Sequence, residues 1–337
     1  MNNQKRSPKI ISFLKRSLIR LSILIFALAI TGMICQTAAT EADQRKYPPP
    51  GVLVNVDGYK MHIYCTGEGS PTIILDHVGG GSSVDWALIQ PKLAEQTRVC
   101  AYDRAGFGWS DSSPAPRTME QQVHELHELL QGANEQAPYI LVGHSYGARV
   151  GRVYAAKYPD EVAGMVLMDA GILSDDPRYP AEMQSNAEAE NNMLRAARWL
   201  SPFGLVRLTK PLMELPTFDL PEEARLASAS FSVSTRFFQS LIAQGDSMPT
   251  VLREEHEVTS LGDMPLLVLT ATEPDDAVRK VWSQANIEMA ELSTNGSYRV
   301  VEGATHISLA YREGDAQVCA DGILEVLDKV RHVAASP

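Results

Sequence analysis

Gly143-His144-Ser145-Tyr146-Gly147 has the composition of a nucleophile turn. A serine with glycine two residues to either side can sit on a sharp strand-to-helix bend, because no side chain obstructs the close approach of the two elements. The flanks fit that bend. Tyr139–Val142 is an apolar run, and Ala148–Lys157 reads as a helix closed by Tyr158-Pro159. Serine needs a base to become an effective nucleophile. Of the eight histidines, His306 is the best base, in a late loop that can return to the sheet edge near Ser145. His144 adjoins the serine but points differently along the turn, and His77 borders a glycine turn that it helps to shape.

The imidazole needs an acid to orient it and to stabilise its charged form. Asp275, in Thr270-Ala271-Thr272-Glu273-Pro274-Asp275-Asp276, is the first choice. Asp276 and Glu273 are alternatives, as is Asp169 at the end of the preceding core strand, and a helix-capping role competes for the Pro274-Asp275-Asp276 acids. A developing oxyanion needs two converging N–H donors. The backbone of Tyr146 is one. The other is expected from His77-Val78-Gly79-Gly80-Gly81, with Gly79 preferred to Gly80.

The surrounding elements must bring these distant residues to one edge. Val52–Val56 and Lys60–Cys65 alternate around Asp57-Gly58, a hairpin signal. Thr72–Leu75 and Arg98–Tyr102 are further strands, and Met119–Leu130 has a helical apolar repeat. After the serine turn come strand Val162–Asp169, strand Leu266–Leu269, helix Val278–Leu292, strand Tyr298–Val301 and helix Asp315–Val330. This alternation predicts an α/β sheet covered on both faces. Between Ile172 and Met264 helix formers dominate, divided by Pro177, Pro180, Pro202, Pro211, Pro216, Pro221 and Pro249. The interval reads as a helical cap over the sheet edge. The expected division is an N-terminal segment with linker at 1–46, a first core part at 47–171, the cap at 172–262 and a second core part at 263–337.

The 337 residues include 30 basic and 41 acidic ones, a net charge of −11, and 45% are hydrophobic. A chain of this balance folds around a core and lacks the concentrated basic footprint of a nucleic-acid-binding surface. The charge is uneven: the first 40 residues hold six basic and no acidic residues. Leu21–Cys35 is apolar and uncharged, between the lengths of a signal peptide and a full membrane span. The basic flank favours a cytoplasmic start, so a membrane anchor or a signal peptide cleaved near Thr37–Ala39 is expected, with the folded part exported. Residues 40–50, ending in three prolines, read as an extended linker. The four cysteines (Cys35, Cys65, Cys100, Cys319) lack metal-ligand spacing. Cys65 and Cys100 are either a disulfide of an exported protein or buried thiols.

Taken in order, the His77–Gly81 loop, Asp103-Arg104-Ala105-Gly106-Phe107-Gly108-Trp109-Ser110, the turn at Ser145 and the late His306 resemble the α/β-hydrolase superfamily over roughly residues 50–332. The resemblance is to its serine-nucleophile, ester-hydrolysing branch. It implies the α/β-hydrolase fold, a mostly parallel eight-stranded sheet with an inserted helical cap after the sixth strand, and a structural role for Asp103–Ser110. It also places the strands carrying Cys65 and Cys100 side by side, which favours their disulfide. Two departures stand out: Ala148 replaces a glycine common in relatives, and the loop after Leu269 lacks a compact Gly-x-x-Asp. The serine argues against aspartate-nucleophile members such as haloalkane dehalogenases and epoxide hydrolases. The resulting expectation is a carboxylesterase-like enzyme without metal or cofactor, acting on a small or medium carboxylic ester through an acyl-enzyme. The alternatives are an amide or peptide hydrolase, with Glu182, Glu188 or Glu190 binding an amine, and a non-catalytic exported binding protein.

Overall fold

The computed structural model describes residues 8–171, 178, 181–209, 218–274 and 277–335. Its strands are β1 (Val52–Val56), β2 (Tyr59–Thr66), β3 (Thr72–Asp76), β4 (Val99–Tyr102), β5 (Tyr139–His144), β6 (Val162–Met168), β7 (Leu266–Glu273) and β8 (Gly296–Thr305). They form one sheet in the order β1-β2-β4-β3-β5-β6-β7-β8. The β1–β2 and β2–β4 pairs are antiparallel, and β3 to β8 run parallel with β4. The hairpin turns at Asp57 and Gly58, whose φ angles of 50° and 92° match the twist of the flanking strands.

Both faces of the sheet are buried. Ile74, Leu141, Met165, Leu167 and Val268 point to one face, into a cluster with Val123, Leu126 and Val150. Their chain neighbours Ile73, Leu75, Ile140, Val142, Val166 and Leu267 point to the other, against Leu93, Ile323 and Leu327. This period of two within continuous apolar runs is the signature of a covered parallel sheet.

The helices are α1 (Pro8–Lys46), α2 (Gln90–Ala94), α3 (Met119–Gly132), α4 (Tyr146–Lys157), α5 (Ala181–Leu200), α6 (Leu205–Thr209), α7 (Glu222–Phe231), α8 (Thr235–Asp246), α9 (Met248–His256), α10 (Ala277–Ala290), α11 (Ser308–Tyr311) and α12 (Glu313–Ala335). Helices α5 to α9 lie between β6 and β7, the interval read as a cap. Pro202 opens a short 3-10 turn after α5, Pro221 caps α7 and Pro249 sits in the first turn of α9. Pro177, Pro180, Pro211 and Pro216 lie outside the described residues.

The segment expected to be a linker differs. α1 continues to Lys46, and extended chain begins only at Tyr47. Glu41, Ala42, Gln44, Arg45 and Lys46 are good helix formers, and Pro48 is the first residue that cannot continue the ladder. The helix has the length and apolarity to cross a membrane. Its last turns pack on the cap: Gln36 Nε2 donates to Val233 O at 3.0 Å, and Arg207 pairs with Asp43 at 2.6 Å.

Cys65 faces Cys100 directly in the β2–β4 register, their Cα atoms 4.0 Å apart, and the two are disulfide-bonded. Cys35 and Cys319 are free thiols. The bond closes a loop of 35 residues, which by chain entropy stabilises the fold by about 3–4 kcal/mol. A Cys65→Ala/Cys100→Ala variant should therefore unfold at lower urea concentration than the oxidised protein. Dithiothreitol should shift the wild-type midpoint the same way and leave the variant unmoved; equal midpoints throughout would rule the bond out.

Candidate active site

The chain leaves β3 to build β4 on one side, then returns to build β5 on the other. Such a reversal leaves a crevice at the carboxyl ends of the two strands. Asp76 pairs with Gly143 across this switch, so the loop after β3 and the turn after β5 open at the same edge.

Ser145 occupies that turn with φ 55° and ψ −110°, a conformation uncommon for a side chain larger than hydrogen. It is over-determined by its surroundings. Ser145 N–H donates to Met168 O at 2.9 Å, and Ser145 O accepts from Ala148 N at 3.1 Å. A methyl group on Gly143 would overlap the backbone of Gly147 and Ala148, and one on Gly147 would overlap Asp76 O. The glycines are thus required by contact. Gly151 meets only the Leu141 side chain, at ordinary distance. Ala148 is fully buried, and the close approaches of the turn fall on Gly143 and Gly147.

His306 follows β8 directly. Its Nδ1 lies 2.7 Å from Asp169 Oδ2, and its ring is packed edge-on against Trp282 and tilted against His144, each at 4.9 Å between centroids. His144 Nε2 lies 2.8 Å from His306 O. Burial and the neighbouring His306 push the His144 pKa down to about 3, so its imidazole is neutral and Nε2–H donates to that carbonyl. The residue before Ser145 thereby ties the histidine loop to the serine turn. With Nδ1 engaged by Asp169, Nε2 is the His306 nitrogen left for a hydroxyl.

Asp169 is fully buried at the end of β6, at φ 46°. Burial alone would raise its pKa. The hydrogen bond from His306 and the charge of Arg279 outweigh that and hold it below the ordinary carboxylate range. Arg279 Nη1 reaches both carboxylate oxygens, at 2.7 and 2.9 Å, and Asn286 Nδ2 donates to Oδ1 at 3.1 Å. Asn286 Oδ1 also accepts the N–H of Gly171 at 3.0 Å, which fixes the chain as it departs for the cap.

The carboxylate at His306 is therefore Asp169, an alternative in the sequence reading. Asp275, the first choice, lies outside the described residues with Asp276. Glu273 is the last residue of β7, and its backbone carbonyl accepts from Arg279 Nη2 at 3.4 Å. The physical reason is strand length. β7 runs four residues past its apolar Leu266–Leu269 core to Glu273, whereas β6 stops at Met168, so Asp169 emerges beside Ser145. Arg279, Trp282 and Asn286 were not foreseen. Their spacing of three and four residues on α10 puts them on one face, a cue that polarity concealed.

The loop after β3 is held by Arg104, buried against the ring faces of Tyr146 and Phe107. Its guanidinium pairs with Asp76 and donates to His77 O at 2.7 Å and Val78 O at 2.8 Å. His77, neutral because burial and Arg104 lower its pKa, has Nδ1 2.8 Å from Val78 O. A methyl on Gly79 would lie 3.7 Å from Tyr146 Cβ, whereas one on Gly80 would face Leu241 and Phe237 of the cap. Gly79 is thus the glycine that adjoins Tyr146, the first residue of α4, where N–H groups lack intrahelical acceptors. A cavity of about 230 Å³ separates this loop from the cap, lined by Gly79, Phe231, Phe237, Leu241, Ile307 and Tyr311 among others. Asp103 braces the neighbouring loop by accepting from Ser83 N and Trp109 N, at 2.6 and 2.8 Å. Glu182, Glu188 and Glu190 have side chains outside the described ones.

Residues 71–311 match the α/β hydrolase fold family, and the chain belongs to it. An uncharacterized protein of Schizosaccharomyces pombe is 26% identical over 295 residues, 76% of this chain and 52% of the relative, so the chain spans about half the length of that relative. Among solved structures, an esterase from Thermogutta terrifontis superposes with a TM-score of 0.62 at 22% identity, covering 83% of this chain and 98% of the esterase. The epoxide hydrolase CorEH superposes at 0.65 and 19% identity, with coverage of 83% and 98%. Likeness at this identity concerns the fold alone.

A depressed carboxylate pKa stabilises the fold above the unfolded value, near 3.9, and that contribution is lost as pH falls through the folded value. Asp169→Asn should cost about 3–5 kcal/mol at pH 7, where Arg279 loses its buried partner. The gap from wild type should narrow in urea melts at pH 3. A gap independent of pH would mean that Asp169 is not held ionised.

Proposed function

We propose that this α/β hydrolase is a serine esterase, cleaving a small or medium carboxylic ester through an acyl-enzyme. The observation that carries the reading is the 2.7 Å contact of His306 Nδ1 with a buried, ionised Asp169 paired with Arg279, beside a serine held at φ 55°. Asp169 keeps the proton of the neutral imidazole on Nδ1, which leaves Nε2 to take the proton of Ser145 Oγ as it attacks the ester carbonyl. The N–H groups of Tyr146 and Gly79 receive the oxyanion. The imidazolium, stabilised by Asp169, then protonates the leaving alcohol. Water deprotonated by His306 attacks the acyl-enzyme, releases the acid and restores Ser145. The triad of this reading is Ser145, His306 and Asp169, with Asp169 taken in place of Asp275 on its contact with His306. The chemistry calls for no metal or cofactor.

We further read α1 as placing the catalytic domain outside the cytoplasm. The basic residues that precede Leu21 support a cytoplasmic start, and the Cys65–Cys100 bond fits an oxidising compartment.

Ser145→Ala should abolish labelling by a fluorophosphonate probe and lower turnover of a 4-nitrophenyl ester by roughly 10⁴-fold or more, with unchanged circular dichroism. Asp169→Asn should lower turnover by orders of magnitude, and Asp275→Asn should leave it within about twofold of wild type. Full labelling of Ser145→Ala would sink the mechanism, and the reverse ranking of the two aspartates would reassign the acid.

A further inference from the structure

The uncharged stretch of α1, Leu21–Thr40, is 20 residues long. As a helix it measures about 30 Å, the thickness of a bilayer's hydrocarbon core, with Arg20 at one boundary and Glu41 at the other. The cap does not start where this stretch ends. Phe203 and Gly204 pack against α1 at Gly32 and Gln36, so closely that a methyl on Gly32 would overlap Phe203 O. Gly32 is eight residues short of Thr40, about 12 Å along the axis. The cap therefore meets α1 at a level that belongs to the uncharged span.

Side chains around that contact fit the same level. Trp199 and Leu208 are 75% and 74% exposed, and Met193, Leu200, Phe203 and Leu205 are exposed beside them in the sequence of α5, its following turn and α6. Large apolar side chains exposed together along one stretch of chain suit a surface that another phase covers. The polar groups of the joint sit farther along α1. Arg207 reaches Gln36 Oε1, Thr40 Oγ1 and Asp43, at 3.0, 3.3 and 2.6 Å, successive turns toward the end of the uncharged stretch.

We propose that the cap face of Trp199, Leu200, Phe203, Leu205 and Leu208 is immersed in the outer leaflet of the bilayer that α1 crosses, so that the enzyme takes its ester from the lipid phase. The substrate half of this inference rests on the esterase reading; the docking half does not. The route is short. Val233, whose carbonyl accepts from Gln36 of α1, is two residues from Phe231 in the cavity wall. An ester with an apolar acyl chain dissolved beside α1 would enter past this part of the cap to reach the loop at Gly79.

The test uses the full chain reconstituted in phosphatidylcholine vesicles. A Cys35→Ser/Cys319→Ala background carries Leu208→Cys, or Val318→Cys on α12 as a reference, each labelled with an environment-sensitive fluorophore. The label at position 208 should emit to the blue of that at 318 and be quenched at least twofold more by doxyl-labelled lipid. Equal quenching at both positions would overturn the docking, and so would a disulfide-linked dimer through position 208, which would assign the face to a second copy. In parallel, Trp199→Glu/Leu208→Glu should lower hydrolysis of vesicle-dissolved 4-nitrophenyl decanoate at least tenfold while leaving aqueous 4-nitrophenyl acetate unchanged. An equal effect on both esters would overturn lipid-phase substrate capture. Wild-type protein that cleaves neither ester would overturn the esterase reading, and the quenching contrast would still stand for the docking.

Discussion

The site depends on the pairing of β5 with β6. Their register, His144 opposite Met168, makes Ser145 and Asp169 the next residues out on adjacent strands. Each is tied by its amide to the neighbouring strand, Ser145 to Met168 O and Asp169 to Leu269 O, and each turns with positive φ as it leaves the sheet. A parallel ladder buried on both faces cannot slip by one residue without turning its apolar set around. Two strained residues are thus held by the same hydrogen bonds that build the core.

Electrostatics completes what register begins. A carboxylate with no solvent exposure would ordinarily be neutral. Asp169 stays charged because Arg279, Asn286 and His306 converge on it from α10 and the loop after β8. The parallel device on the other side of the site is Arg104, whose guanidinium holds two carbonyls of the glycine loop and stacks on Tyr146. One arginine secures the acid and the other secures the loop. In both cases a buried cation is matched to a buried carboxylate, so neither charge is left uncompensated.

Much of this was legible in the sequence. The serine turn, the Asp57-Gly58 hairpin and the late histidine each carry a local signal: glycine at fixed offsets, alternation around a turn pair, and position after the last strand. The carboxylate that meets His306 carried no such signal. Asp169 ends a strand like many other residues, and Arg279 and Asn286, which make it an ionised partner for His306, come 110 and 117 residues later. No short window contains that information. The end of α1 was misjudged for the opposite reason. Three consecutive prolines drew the linker back to residue 40, although Glu41–Lys46 are helix formers and their docking partner Arg207 is far away in the chain.

The unbroken course of α1 from its apolar stretch to Lys46 has a kinetic consequence. If α1 is retained in a membrane as proposed, its unbroken helix fixes the tilt and height of the cap docked on it, and diffusion is confined to two dimensions. For an ester dissolved in that membrane, as proposed, encounter frequency is then governed by mole fraction within the sheet of lipid instead of bulk molarity, and dilution of the surrounding water leaves it untouched.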